Sequence, residues 1–314
     1  MSAGAAHGAG ASTARPMSHR LAVLTMLVAT LLWSIAGVVT LRLESARSFE
    51  VTFWRSLFNV LALLVLLPAL RGPARIWHSI RHGGRVLWIS AVCWSVMFTA
   101  FMVALTLTRV ANVLVTMALA PLLTALIARF VLGNRLPGRT WAAVAVAGVG
   151  IAWMYAKEVS GGDARHLLGS VVALGVPLAA AINWSVIQHS REAADHDLLP
   201  AVLLGALLSA LLTLPWALPF AGSPHDIGWL ALLGVAQLAI PCLLSVAAAR
   251  ALSAPEAALL ALLEIVFGVA WAWLGADEAP ARHVLGGGLL VIAALAANEA
   301  LALRQRLAVP RRPS

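Results

Sequence analysis

Charge is scarce in this sequence. Only 11% of its 314 residues are Asp, Glu, Lys or Arg, while 61% are hydrophobic. A soluble domain carries about 25% charge, so a water-soluble globule is excluded, and the mean hydropathy of +0.90 agrees. Lysine is almost missing: of 22 basic residues only Lys157 is not Arg. With so much Ala, Leu and Gly, that bias fits a GC-rich bacterial genome. The two cysteines, Cys93 and Cys242, sit in separate apolar runs without C-x-x-C spacing. They predict small apolar packers, with no disulfide framework and no structural metal site. No Walker loop, DDxxD, HExxH or Ser/His/Asp set is present, and only about one acid lies deep in an apolar run. No metal and no cofactor are therefore expected. The net charge of +9 comes without an RNA- or DNA-binding pattern, so no nucleic-acid partner is expected either.

What is abundant is long apolar runs. Ten occur, at about 20–41, 51–70, 86–107, 110–132, 139–156, 167–189, 198–218, 227–249, 256–275 and 284–303. Each is close to the ~20 residues that span a bilayer as a helix, which predicts an all-α integral membrane protein. The first run is longer than the apolar part of a signal peptide and no small-x-small cleavage site closes it, so it reads as a retained span. Residues 1–18, small and polar, predict a disordered N-terminus. Fifteen of the arginines fall at the two termini and in loops 2–3, 4–5, 6–7 and 8–9. The opposite side has six basic residues: Arg42, Arg47, Arg109, Lys157, Arg165 and Arg282. The positive-inside rule then predicts both termini in the cytoplasm of a bacterial inner (plasma) membrane.

An internal repeat organises the runs. Residues from Ala111, "ANVLVTMALAPLLTALIARFVLGNRLP", align without gaps at an offset of 144 with "PEAALLALLEIVFGVAWAWLGADEAPA" from Pro255. Asn112 then meets Glu256, Ala120 meets Glu264 and Thr124 meets Gly268. "LLWSIAGVV" in run 1 matches "AINWSVIQH" in run 6 through Trp33-Ser34 and Trp184-Ser185. Two five-span units follow, 19–160 and 161–304, with a tail at 305–314. Because five is odd, the second unit enters the membrane in the opposite sense, and inverted repeats are a transporter signature. The expected fold is ten transmembrane helices as two inverted five-helix repeats.

These units resemble the EamA-type repeats of the drug/metabolite transporter superfamily. The resemblance rests on "LLWSIAGVV", on "FWRSLFNVLALL" with Arg55, on "ALTLTRVANVLVTMALAPLLTALIARFVLGNRL" with Pro121 mid-helix, and on "EAALLALLEIVFGVAWAWLGADEAP". It covers about residues 20–303. It implies alternating access and export or exchange of a small metabolite such as an amino acid. Many members carry Gly-Glu after span 4, where this chain has Gly133-Asn134. Many have Pro after the span 9 glutamate, where this chain has Ile265, which predicts a span 9 less kinked than span 4.

Candidate site residues follow from polar groups in apolar runs. Glu264 lies about 12 Å into span 9 at 1.5 Å per residue. A carboxylate there costs several kcal/mol unless paired, hydrated or protonated. It reads either as a cavity group that binds a substrate amine or a proton, or as an acid bonded to a neighbouring helix. Glu256, Leu260, Glu264 and Gly268 share one stripe, and Asn112, Thr116, Ala120 and Thr124 form the matching stripe on span 4. Arg55, with Asn59 one turn deeper, reads either as a cation that snorkels to the interface or as one that grips a substrate carboxylate. Arg55 and Glu264 together fit the two ends of a zwitterionic amino acid. Trp33, Trp94 and Trp184 lie deep, each before a serine, and Trp94 shares a face with Phe98 and Phe101. Gln188 and Gln237 are intramembrane amides. Pro121, Pro177 and Pro241 interrupt spans and are hinge candidates, as is the less central Pro215. Gly-rich stretches in spans 5 and 10 predict close packing. The partners expected are a small-molecule substrate, the lipid bilayer and a coupling proton, with the oligomeric state open. A membrane-embedded enzyme, or a receptor or assembly subunit without transport activity, stands as the alternative.

Overall fold

The computed structural model describes residues 17–130, 133, 137–160, 164–191, 198–248, 251, 260–261, 263–276 and 279–308. Most of the N-terminal segment and residues 309–314 lie outside them, as does Glu256. Among the described residues every regular element is helical. In chain order these are α1 (His19–Ser34), α2 (Ala36–Thr40), α3 (Ser48–Arg71), α4 (Pro73–His82), α5 (Gly84–Leu107), α6 (Val110–Met117) and α7 (Ala120–Phe130). Then come α8 (Gly138–Ser160), α9 (Ala164–Arg191), α10 (Leu199–Ala217), α11 (Pro224–Leu232), a π-helical segment (Leu233–Ala239), α12 (Ile240–Ala248), α13 (Leu263–Ala276) and α14 (Arg282–Ala308).

Seven of these stretches are long and apolar enough to cross a membrane: α1–α2, α3, α5, α6–α7, α9, α10 and α11–α12. A 24-residue helix such as α3 is about 36 Å long, which exceeds the ~30 Å hydrocarbon layer. The described residues thus give seven candidate spans where the sequence predicts ten. α13 and α14 contain shorter apolar stretches, Leu263–Gly275 and Arg282–Asn298, and α8 fills the fifth predicted run. Leu64, Val65, Leu212, Leu274 and Leu289 are more than half exposed, as a helix surface turned to lipid requires. Small residues fill the interior instead: Ala29, Ala147, Ala173, Ala181 and Ala206 are completely buried.

Of the four prolines singled out in the sequence, two interrupt their spans and two do not. Pro121 lacks the N–H that would bond the Met117 carbonyl, and the fourth span breaks between α6 and α7 at Ala118–Leu119. Pro241 would drive its ring into the Gln237 carbonyl, and the chain before it widens into the π segment. Pro177 and Pro215 lie inside helices that run on without a break. α13 is continuous through Ile265.

The principal packing pairs repeat under exchange of the two halves. α5 packs on α9 (spans 3 and 6), and α1 packs on α12 (spans 1 and 8). α10 packs on α5 (7 and 3), and α3 packs on the π segment (2 and 8). α6 and α7 pack on α9 (4 and 6), and α13 packs on α1 and α2 (9 and 1). Three pairs map onto themselves: α3–α10, α6–α13 and α8–α14. The last is very close. A Cβ on Gly150 would lie 2.7 Å from the Gly287 carbonyl oxygen, and one on Gly287 would lie 2.5 Å from that of Gly150.

At one end, loop 1–2 is stapled to loop 7–8 by two completely buried carboxylates. Asp226 accepts from the Glu44 N–H at 2.9 Å, the Ser45 and Ala46 N–H groups at 3.0 Å and the Ser45 hydroxyl at 2.8 Å. Glu50 accepts from the N–H groups of Ala221 at 2.9 Å and Gly222 at 2.8 Å. Arg47 also donates to the Pro219 carbonyl.

Candidate functional site

Three interrupted or closely packed helices converge on Arg55. α3 carries Arg55 and, one turn on, Asn59. The π segment crosses α3 at Gly234, where a Cβ would lie 2.7 Å from the Arg55 carbonyl oxygen and 2.8 Å from the Asn59 nitrogen. Only glycine permits that approach, and it sets Gln237, one turn along, against the guanidinium. Arg55 donates to Gln237 Oε1 from Nε at 3.2 Å and from Nη2 at 2.8 Å. Gln237 Nε2 in turn donates to the Trp33 carbonyl at 3.1 Å, at the end of α1 just before Ile35 interrupts the first span. The guanidinium lies over the Phe101 ring of α5, 5.6 Å from its centroid. Arg55 and Gln237 together thus tie spans 2, 8, 1 and 3.

Arg55 is 2% exposed, which corrects the snorkelling alternative: the cation points into the protein, because its head group is captured by the π segment before it can reach the interface. Its Nη1 is buried without a hydrogen-bond partner, and so are both side-chain polar atoms of Asn59. A buried cation costs several kcal/mol unless compensated. Gln237 is a neutral acceptor and Phe101 supplies only a cation–π contact, worth roughly 0.5–2 kcal/mol. Glu264 and Arg55 act on each other electrostatically. Among the described residues no ion pair joins them, and the Glu264 carboxylate has no hydrogen-bond partner while remaining partly exposed. Cys242 lies in the same field.

The face of α13 that bears Glu264 is turned inward. Gly268, one turn on, abuts Leu114 of α6 and the Ser34 carbonyl, Trp271 Nε1 donates to the Ser34 hydroxyl at 3.0 Å, and Gly275 abuts Val38. The stripe therefore meets span 4 at Leu114. Asn112 and Thr116 are buried in α6. Thr116 donates to the Asn112 carbonyl at 2.7 Å, Asn112 Nδ2 donates to the Thr108 hydroxyl at 3.2 Å, and Thr124 donates to the Ala120 carbonyl at 2.8 Å.

The remaining candidates fall in two groups. Trp33 packs partly buried against the core cluster that contains Val60 and Cys242. Trp94 packs against Phe98 in a tilted pair with centroids 5.4 Å apart, and its Cβ abuts Gly205 of α10. Trp184 and Gln188 lie on α9, with side chains outside the described residues. Several polar links were not legible as sites: Ser209 to Ser56 at 3.0 Å and to Thr99 at 2.9 Å, Ser90 to Asn183 at 2.7 Å, and the Glu50 and Asp226 staple. Only Asn183 carried a signal, as an amide in the middle of a run.

Comparison with known proteins is consistent in fold. One solved structure, described as "Crystal structure of protein", superposes with a TM-score of 0.62 at 17% identity, covering 92% of this chain and 99% of that one. No curated protein matches the chain. The EamA-like transporter family matches residues 20–156 and 167–298, which are the two repeated halves. This multi-pass membrane protein belongs to the EamA-like transporter family.

Proposed function

We propose that the protein is a secondary transporter that moves a small metabolite across the bacterial inner membrane by alternating access between two inverted five-helix repeats, 19–160 and 161–304, with ten spans and both termini cytoplasmic. The observation that carries the site assignment is the buried Arg55 cation, held by neutral Gln237 with Nη1 free and the unpartnered Asn59 amide one turn away. A cation so placed is compensated best by an anionic group that arrives with the substrate. Glu264, within electrostatic reach of it, is the receptor for an amine or a coupling proton. A compound with both charges, such as an amino acid, satisfies the pair, and the net flux is export or exchange. The breaks at Pro121 and Pro241 are the hinge candidates, because freed carbonyls and a widened helix lower the cost of bending there. No enzymatic step is assigned.

Solute counterflow in proteoliposomes tests this reading. Purified protein is loaded with amino acids, nucleosides or sugars, with and without a pH gradient. Counterflow of at least one charged metabolite, lost in Arg55→Met, is the expected result. Absence of counterflow for every solute overturns transport and leaves a receptor or assembly subunit.

A further inference from the structure

A basic helix missed in the sequence sits between the second and third spans. α4 follows α3 after a single residue, Gly72, whose φ of +81° turns the chain in a way that other residues resist. A single residue, Gly83, separates it from α5. The segment from Arg71 to Arg85 carries four arginines, two histidines and no acid. Ile76 is buried and Ile80 is half-buried, both against the core between α3, α5 and α10. Arg75, Trp77, Arg81 and Arg85 are exposed. Arg81 lies over the Trp77 ring, 5.0 Å from its centroid. That contact occupies one face of the guanidinium and leaves its N–H edge open. None of these arginines is in an ion pair among the described residues.

The position of α4 relative to the bilayer follows from its connections. It starts one residue after the end of one span and ends one residue before the next, and its ten residues are about 15 Å long. It must therefore lie along the surface at the level where the spans emerge. Its isoleucines pack inward on protein, so the outer side presents cations to the headgroup layer. Trp77 and Trp88, 56% and 49% exposed, mark the same level, since indoles favour the interface.

We propose that α4 is a binding surface for anionic phospholipid headgroups, with Arg75 and Arg81 as the principal phosphate contacts. Arginine suits this chemistry because its planar fork donates two parallel hydrogen bonds to a phosphate. Each surface cation near an anionic leaflet contributes a factor of about five in binding. The proposal is independent of the transported substrate.

The test is retention of lipid by the full-length, detergent-purified protein, read by native mass spectrometry during titration with phosphatidylglycerol or phosphatidylcholine. The expected result is preferential retention of phosphatidylglycerol, undisturbed by inorganic phosphate. The preference falls at least about fivefold in Arg75→Gln/Arg81→Gln and is only partly kept in Arg75→Lys/Arg81→Lys, which retains the charge but not the fork. The exposed positions predict unchanged melting temperatures for all variants. Equal retention of the two lipids by the parent protein, or an unaltered preference in the double Gln variant, overturns the proposal. Displacement of the lipid by inorganic phosphate overturns it too, because it assigns the surface to free anions.

Discussion

Gln237→Leu isolates the contribution of the Arg55 junction. The substitution removes both hydrogen bonds that the guanidinium makes to Oε1, at 3.2 and 2.8 Å, and also the bond from Nε2 to the Trp33 carbonyl. Leucine nearly conserves volume, so little cavity is left. A hydrogen bond to a charged group contributes roughly 1.5–3 kcal/mol, and breaking a buried polar pair from one side costs about 3–5 kcal/mol because the remaining charge stays desolvated. A loss of about 4 kcal/mol lowers the melting temperature by on the order of 10 °C for a chain of this size. Cys93 and Cys242 are each 6% exposed, so a thiol-reactive fluorogenic dye reports unfolding without any engineered label. The double variant Arg55→Met/Gln237→Leu carries neither the cation nor its acceptor. Apolar replacement of a buried polar pair is often neutral or stabilising, so it recovers most of the lost stability while remaining inactive in counterflow. The cycle separates the two roles of Arg55. A Gln237→Leu protein that melts with the parent refutes the argument that Gln237 compensates the cation, and a transporting double variant refutes the role of Arg55 in binding.

Three further outcomes follow from the same structure. Asp226→Ala removes the carboxylate that accepts from the N–H groups of Glu44, Ser45 and Ala46; since a hydrogen bond to a charged group contributes roughly 1.5–3 kcal/mol, the variant melts well below the parent in the dye assay, whereas Glu44→Gln, on an exposed side chain, does not. Gly234→Val forces atoms into the Arg55 carbonyl and the Asn59 nitrogen, and overpacking of this kind costs about 1–3 kcal/mol; both stability and counterflow fall, since the α3–π crossing also positions Gln237. Glu264→Gln keeps size and hydrogen-bonding capacity but loses the titrating charge; transport then no longer responds to an imposed pH gradient, and an unchanged response assigns Glu264 to packing alone.

The bundle was legible because its determinants are local. Apolar run length and the arginine distribution mark helices one at a time, and the described helix bounds fall within a few residues of the predicted runs, apart from the start of run 9, which lies outside the described residues. Pro121 and Pro241 were visible as interruptions, although the sequence did not say that one breaks a span and the other widens it. What a neighbouring helix decides was not legible. Arg55 has the same sequence context whether it snorkels or turns inward; a residue 182 positions away settles which. α4 was read as loop because its arginines dilute the apolar signal, and only two isoleucines spaced by four remain to mark a helix. Asp226 and Glu50 were not singled out because their partners are backbone N–H groups, which no sequence pattern displays.

The packing is symmetric under exchange of the halves, yet the chemistry is not. Ala120 stands opposite Glu264 in the alignment, and runs 7 and 3, the counterparts of the runs that carry Arg55 and Gln237, hold no charged or amide residue. Two of these three side chains lie beside helix pairs that map onto themselves. Arg55 adjoins Ser56, which bonds Ser209 across the α3–α10 interface at 3.0 Å, and Glu264 is one turn from Gly268 in the α6–α13 interface. In the proposed inverted-repeat arrangement, the pseudo-two-fold axis passes through such self-paired interfaces. In the proposed cycle, in which the halves exchange conformations, groups far from the axis alternate between open and closed surroundings, while groups near it face the substrate in both states. A single copy of each charged residue then suffices, provided it sits close to the axis. A second Arg–Gln junction in the other half would add the desolvation of another buried cation, several kcal/mol, at a place the substrate does not visit in both states. The asymmetry of the site is therefore what the symmetry of the scaffold permits.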